Sequence, residues 1–217
     1  DPVIRKACRD TTICTYEVEC RPIAVRLAIE ADDDCTRPEE LLYRYKIDLN
    51  SDGTIDIEKA SIGDPVASGT WPLGRHTIKW EVEDRCGNTA KCQSQLNLIN
   101  CKTPTAYCHR DISVGLVAMD LDGNGIPDTK MVQVWASDID AGSSHSCGYP
   151  VTLSFSRDTA DKSRTYTCDS LGLRNVELWV TDINGNTSVC KTRIIVWDNP
   201  MNAPACPNTL TTGIDGL

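Results

Sequence analysis

Phenylalanine occurs once in this 217-residue chain, so five Trp and six Tyr carry nearly all of its aromatic mass and the apolar core is modest. No apolar run approaches the ~18 residues that a membrane-spanning helix needs. Cys-x-x-Cys is absent. The closest cysteines, Cys8 and Cys14, Cys14 and Cys20, and Cys86 and Cys92, have five residues between them, which argues against zinc. Basic runs are also missing. Lys and Arg total 22 against 31 Asp and Glu, a net charge of −9, which disfavours a nucleic-acid partner. Only three histidines occur, His76, His109 and His145, and none stands at nucleophile spacing in a recognisable elbow, so no catalytic residue is assigned and the chain reads as no enzyme. It opens at Asp1 with neither Met nor a signal-like segment, and reads as a processed product or a piece of something longer.

Cysteine is abundant instead: 8, 14, 20, 35, 86, 92, 101, 108, 147, 168, 190 and 206. Such a count without zinc spacing indicates disulfides, and disulfides place a protein outside the reducing cytosol, secreted or on a cell surface. Twelve cysteines allow on the order of ten thousand pairings.

The chain repeats itself. WEVEDRCGNTAKC (80–92) matches WVTDINGNTSVC (179–190), and Asp84/Asp182, Gly87/Gly185, Asn88/Asn186 and Cys92/Cys190 share an offset of 98. One anchored motif per copy means tandem domains, at 1–100 and 101–200. TPTAYC (103–108) opens the second copy, so APACPN (203–208) makes 201–217 a linker or the start of a further module. Apolar and polar residues alternate in 75–83, 130–136, 176–181 and 191–197, with turn residues between them and no sustained 3.6-residue period. The pattern predicts an all-β chain of two antiparallel β-sandwiches with Greek-key connections, immunoglobulin-like in the broad sense. The shared motif reads as a hairpin between two final strands, with Asp, Asn and Gly in its turn; the alternative is that Asp182, Asn184 and Asn186 hold an ion.

Two acidic loops ask for an explanation. A calcium loop wants oxygens at positions 1, 3, 5, 7 and 9, with Gly at 6. Loop 48–59 supplies Asp48, Asn50, Asp52, Gly53, the Thr54 carbonyl and Asp56; loop 120–131 supplies Asp120, Asp122, Asn124, Gly125, the Ile126 carbonyl and Asp128. At position 12, where an EF-hand has a bidentate Glu, stand Lys59 and Met131. The flanks are strand-like, so the expectation is two weak Ca2+ sites at hairpin tips; an ordinary Asp/Asn/Gly turn is the plain alternative. The Asp32–Asp34 run and the Asp138/Asp140 pair are candidates for a further cation.

ADDDC (31–35), YRYKIDLNSDGTID (43–56), PLGRHTIKWEVEDRCGNTAKC (72–92), CKTPTAYC (101–108), WASDIDAGSSHSCG (135–148), YTCDSLGLRNVELWVTDINGNTSVC (166–190) and VWDN (196–199) together resemble hyalin-repeat-like (HYR-like), immunoglobulin-like modules of large secreted bacterial surface adhesins and extracellular filament proteins. The resemblance covers nearly the whole chain. It implies non-catalytic structural or adhesive repeats whose partners are neighbouring modules of the same or identical chains, with cell-surface glycans as a further class. It also implies pairings: Cys108–Cys190, Cys8–Cys92, Cys35–Cys86 and Cys147–Cys168, with Cys14–Cys20 closing a short loop and Cys101 and Cys206 left unassigned. The competing function is a carbohydrate-binding accessory module of a secreted hydrolase. Trp80, Trp135 and Trp179 lie inside strand patterns, which leaves Trp71 and Trp197 as candidate sugar platforms.

Overall fold

A computed structural model describes residues 1–6, 8–199 and 205–206. The chain divides into two compact units, Asp1–Lys102 and Thr103–Leu217, a boundary two residues beyond the one that the repeat implies. Most of 201–217, including most of APACPN, lies outside the described residues. No helix among the described residues is long and apolar enough to cross a membrane.

The first unit contains β1 (Val3–Lys6), β2 (Thr11–Thr15), β3 (Ile23–Ala28), β4 (Glu30–Asp32), β5 (Leu42–Leu49), β6 (Ile57–Ile62), β7 (Val66–Trp71), β8 (Gly74–Glu83) and β9 (Thr89–Asn100). A five-stranded sheet runs β2-β9-β8-β5-β6, and two further pairs are β1-β4 and β3-β7. Side chains alternate across a strand, so Tyr43, Tyr45 and Ile47 of β5, Ile78, Trp80 and Val82 of β8, and Leu96 and Leu98 of β9 share one face. They bury it against Val25, Ala31, Ala67 and Trp71 of the smaller pairs.

The second unit contains β10 (Ile112–Met119), β11 (Thr129–Trp135), β12 (Val151–Ser154), β13 (Ser163–Thr167), β14 (Gly172–Asp182) and β15 (Thr187–Asp198). Its order is β12-β14-β15-β10-β11-β13. Strand β10 changes partner midway: Ile112–Leu116 pair with β15, and Val117–Met119 with β11. Leu116, Val134, Leu178, Val180, Ile194 and Val196 form its core with Phe155, the chain's one Phe.

Most pairs are antiparallel as expected, but each unit closes with a parallel one, β2 with β9 and β10 with β15. The disulfides follow that geometry. Cys108–Cys190 spans 82 residues, and the ladder that follows keeps the same offset from Ile112↔Ile194 onward. In the first unit Cys8 joins Cys92 and Cys14 joins Cys101, both bridges advancing in one direction along the two strands.

Three expected bridges are therefore corrected. Cys14 bonds Cys101 and not Cys20, because β2 lies alongside β9 and its Cys reaches the end of that strand. Cys168 bonds Cys206 and not Cys147; Cys206 is 3% exposed and packs into the second unit's core. Cys35 and Cys86 are free and exposed.

The motif of offset 98 is the β8–β9 turn in one unit and the β14–β15 turn in the other. Asp84 N–H donates to Asn88 O at 3.0 Å, and Asp182 N–H to Asn186 O at 3.0 Å. Each aspartate accepts from the side-chain amide of that Asn, at 2.7 and 2.8 Å. Asp84 takes further N–H bonds from Cys86 and Asn88, and Asp182 from Asn184 and Asn186. The Asn88 amide, before the backbone donors, holds the Asp84 carboxyl below the usual carboxylate range. Asp182 thus fastens a turn, and His145, itself buried, comes within 3.5 Å of it.

Candidate metal centre

Both acidic loops are hairpin tips, 48–56 between β5 and β6 and 120–128 between β10 and β11. Several of their hydrogen bonds correspond by position. The first aspartate accepts backbone N–H from positions 5 and 6: Asp52 (3.0 Å) and Gly53 (2.9 Å) on Asp48, Asn124 (3.2 Å) and Gly125 (2.7 Å) on Asp120. The ninth residue accepts from position 2: Leu49 N–H on Asp56 at 2.7 Å, Leu121 N–H on Asp128 at 2.8 Å. It also donates its own N–H back to the strand before, Asp56 to Ile47 O and Asp128 to Met119 O, both at 2.9 Å. Position 7 donates to the side chain at position 5, Thr54 to Asp52 (2.8 Å) and Ile126 to Asn124 (2.7 Å). A shared sequence template has produced the same framework of hydrogen bonds in both loops, although position 3 is left-handed at Asn50 and not at Asp122.

The carboxylates gather in only one of them. Asp120, Asp122 and Asp128 each place an oxygen within 4.8 Å of the others, and this is the one such trio of His, Cys, Asp or Glu among the described residues. Calcium–oxygen bonds of about 2.3–2.6 Å set ligand oxygens no more than about 5 Å apart, so the trio fits the ion. The Gly125 N–H, followed by those of Gly123 and Asn124, holds the Asp120 carboxyl below its ordinary range and keeps it anionic. Asn124 donates its side-chain amide to Asp122 at 2.9 Å, and Ile126 is largely exposed.

In the first loop Asp48, Asp52 and Asp56 do not reach that spacing. Asp48 is buried, with both oxygens engaged by amides. Asn50 and Ser51 take left-handed φ values of 70° and 52°. This tip is anchored to its own sheet in a way no sequence signal disclosed. Asn50 N–H donates to Nδ1 of the fully buried His76 at 3.3 Å, and the other ring nitrogen meets Pro72 O at 2.9 Å. Ser51 Oγ reaches Thr77 Oγ1 at 2.9 Å and Gln95 Oε1 at 3.3 Å. Position 12 falls inside the following strand in both loops, since Lys59 pairs with Tyr45 and Met131 with Val117. A hairpin tip turns back into its sheet before a twelfth ligand can reach the centre.

The other acidic candidates serve as caps. Asp33 accepts N–H from Cys35 and Thr36, Asp138 from Trp135, and Asp140 from Gly142 and Ser143; Asp32 meets Arg5 at 2.9 Å. The tryptophans divide differently from their pattern. Trp71 is 1% exposed and belongs to the core, so it is no platform, whereas Trp135 on β11 is 48% exposed. Trp197 is 43% exposed and lies over Gly115, where an added Cβ would come within 2.9 Å of the indole. The absence of a side chain at residue 115 is what lets the ring lie there.

No family model matches the chain, and no curated protein matches it significantly. Among solved structures, immunoglobulin domains 1–4 of Sidekick-1 align at TM-score 0.51 and 12% identity, covering 90% of this chain and 48% of that one. The titin I-band fragment I67–I69 aligns at TM-score 0.41 and 11% identity, covering 90% of this chain and 65% of that one. The chain spans about half the length of the Sidekick-1 fragment. At such identity the likeness shows the fold alone, and the fold is immunoglobulin-like.

Proposed function

We propose that the chain is a pair of non-catalytic spacer modules from an extracellular adhesive or filamentous surface protein, of the hyalin-repeat-like kind found in bacteria. Its partners are neighbouring modules of the same or identical chains. The observation that carries this reading is the disulfide clamp beside the parallel strand pair of each unit, β2 with β9 and β10 with β15. Tension on a tandem array enters a module at one end strand and leaves at the other. With those strands adjacent, parallel and cross-linked, the load passes through the Cys8–Cys92 and Cys108–Cys190 bonds and bypasses the core between them. Calcium at 120–131, and at 48–59 where the same loop framework exists, would stiffen the hairpin tips. Asp120, Asp122 and Asp128 would hold it in the second loop, and Asp48, Asn50, Asp52, the Thr54 carbonyl and Asp56 in the first.

Pulling single oxidised chains in calcium and then in EDTA tests this, with bound metal counted by mass spectrometry. Intact bridges should keep each unit from releasing the chain locked inside it. Reduction should restore about 290 Å of extension for the 84 residues between Cys8 and Cys92. Full extension of oxidised chains at low force would refute the clamp, and absence of bound calcium would reduce the loops to plain turns. The second reading, a carbohydrate-binding accessory module of a secreted hydrolase, is favoured by the exposed rings of Trp135 and Trp197; loss of glycan-array binding in Trp135→Ala or Trp197→Ala would mark it.

A further inference from the structure

Each unit has a wide cleft beside its terminal disulfide. In the first unit it measures about 690 Å³ and is bounded by Cys8, Arg9 and Thr11 on one side and by Ser94, Gln95 and Leu96 of β9 on the other. In the second it measures about 880 Å³, between Cys108, His109 and Asp111 and Lys191, Thr192 and Arg193 of β15. The positions correspond: Cys8 and Cys108 open their units, and Ser94/Thr192 and Gln95/Arg193 stand at the offset of 98 that relates the two hairpins. The cleft therefore belongs to the module, having arisen in both copies.

Both clefts carry charge opposite to that of the chain, whose net charge is −9. Arg5, Arg9 and Arg26 line the first against Glu30 alone. Arg110, Arg164, Lys191 and Arg193 line the second against Asp111 and Glu177. Those two carboxylates are already engaged, Asp111 by both forks of Arg193 at 2.6 Å and Glu177 by Lys191 at 3.1 Å. Arg164 is held by Asp161 and Arg5 by Asp32. Arg9, Arg26 and Arg110 form no ion pair among the described residues, so uncommitted guanidinium groups stand on the walls of each cleft. A guanidinium grips carboxylate or sulfate through two parallel N–H bonds. Apolar lining that keeps some surface, Leu27 and Ala28 in one cleft and Val176 in the other, suits a ligand that carries its charge on a ring with an apolar face.

We propose that both clefts bind anionic saccharide units, with sulfate or uronate groups taken by Arg9 and Arg26 in the first and by Arg110 in the second. This goes beyond the spacer reading, which needs no ligand, and it is independent of the calcium loops. The test is titration calorimetry of the whole oxidised chain with a sulfated heparin hexasaccharide, beside neutral maltohexaose and poly-L-glutamate, in calcium and in EDTA. One site per unit is expected for the sulfated sugar, with weak or no binding of the other two. Arg9→Ser/Arg26→Ser should weaken the first site about tenfold, the loss of two charge-assisted contacts, and Arg110→Ser should weaken the second. Arg37→Ser/Lys59→Ser removes equal charge outside the clefts and should leave both sites intact. Unchanged thermal midpoints would show that the cleft variants remain folded. Equal weakening by the control pair, equal binding of poly-L-glutamate, or no binding of the sulfated sugar overturns the proposal.

Discussion

Removing the Cys8–Cys92 bridge should destabilise its unit less than removing Cys108–Cys190 does, although the two occupy equivalent places. A disulfide stabilises mainly by shrinking the unfolded ensemble, and what counts is the loop it closes given the bridges that remain. With Cys14–Cys101 intact, Cys8 and Cys92 are already connected through six residues on one side and nine on the other. Their bond then closes a loop of about 15 residues, which corresponds to about 3 kcal/mol. Among the four bridges described, Cys108 and Cys190 have no such shortcut. The path through Cys168–Cys206 still covers about 76 residues, against 82 directly, and gives about 4.5 kcal/mol. All four cysteines are half-buried, so the packing lost on substitution is comparable. The double variants Cys8→Ala/Cys92→Ala and Cys108→Ala/Cys190→Ala would be compared by hydrogen exchange, read peptide by peptide, which assigns an opening free energy to each unit separately. The second variant should lose about 1.5 kcal/mol more. Equal losses, or a larger loss in the first unit, would refute the nested-loop reasoning and with it the pairing of Cys14 with Cys101.

Further outcomes follow from particular residues. Gly63 has φ 69°, and an added Cβ would stand 2.6 Å from the Glu39 carbonyl, whereas Gly87 has φ 87° and open space around it. Gly63→Ala should therefore cost about 1–3 kcal/mol more than Gly87→Ala in urea unfolding, and equal effects would contradict the close approach. Asp198 is held below its ordinary range, by Lys130 Nζ at 2.5 Å first and then by the Cys206 N–H, and Arg193 does the same to Asp111. Their contribution is present above the unfolded carboxylate value near 3.9 and disappears as pH falls through the lower folded values. Melting temperature should thus drop below about pH 4, less steeply in Asp198→Asn; a flat profile to pH 2 would exclude this coupling. Alkylation of the native chain without reductant should label Cys35 and Cys86 and spare Cys8, Cys14, Cys92, Cys101, Cys108 and Cys190, and peptide mass spectrometry reads the result.

Much of this molecule is local, and the local part was legible. The offset of 98 located both final hairpins because their turn chemistry, an Asp that collects the N–H groups of its own turn, is written in consecutive residues. Alternating apolar residues marked β8, β11, β14 and β15 for the same reason. The loop template at 48 and 120 likewise marked two hairpin tips, which share several of their hydrogen bonds. What depends on distant neighbours was not legible. Whether Cys14 meets Cys20 or Cys101 turns on β2 running parallel to β9, and no short-range pattern encodes that register. Trp71 and Trp135 exchanged their expected roles because exposure depends on what packs over a strand and not on the strand itself. The two loops differ in how closely their carboxylates gather although their templates agree, since His76, Thr77 and Gln95 on neighbouring strands anchor the first tip to its sheet. The chain by itself determined its repeats, turns and strand faces, which are matters of adjacent residues; tertiary structure decided the bridges, the exposed rings and the gathering of Asp120, Asp122 and Asp128, because each requires groups far apart in sequence to be held at fixed distances.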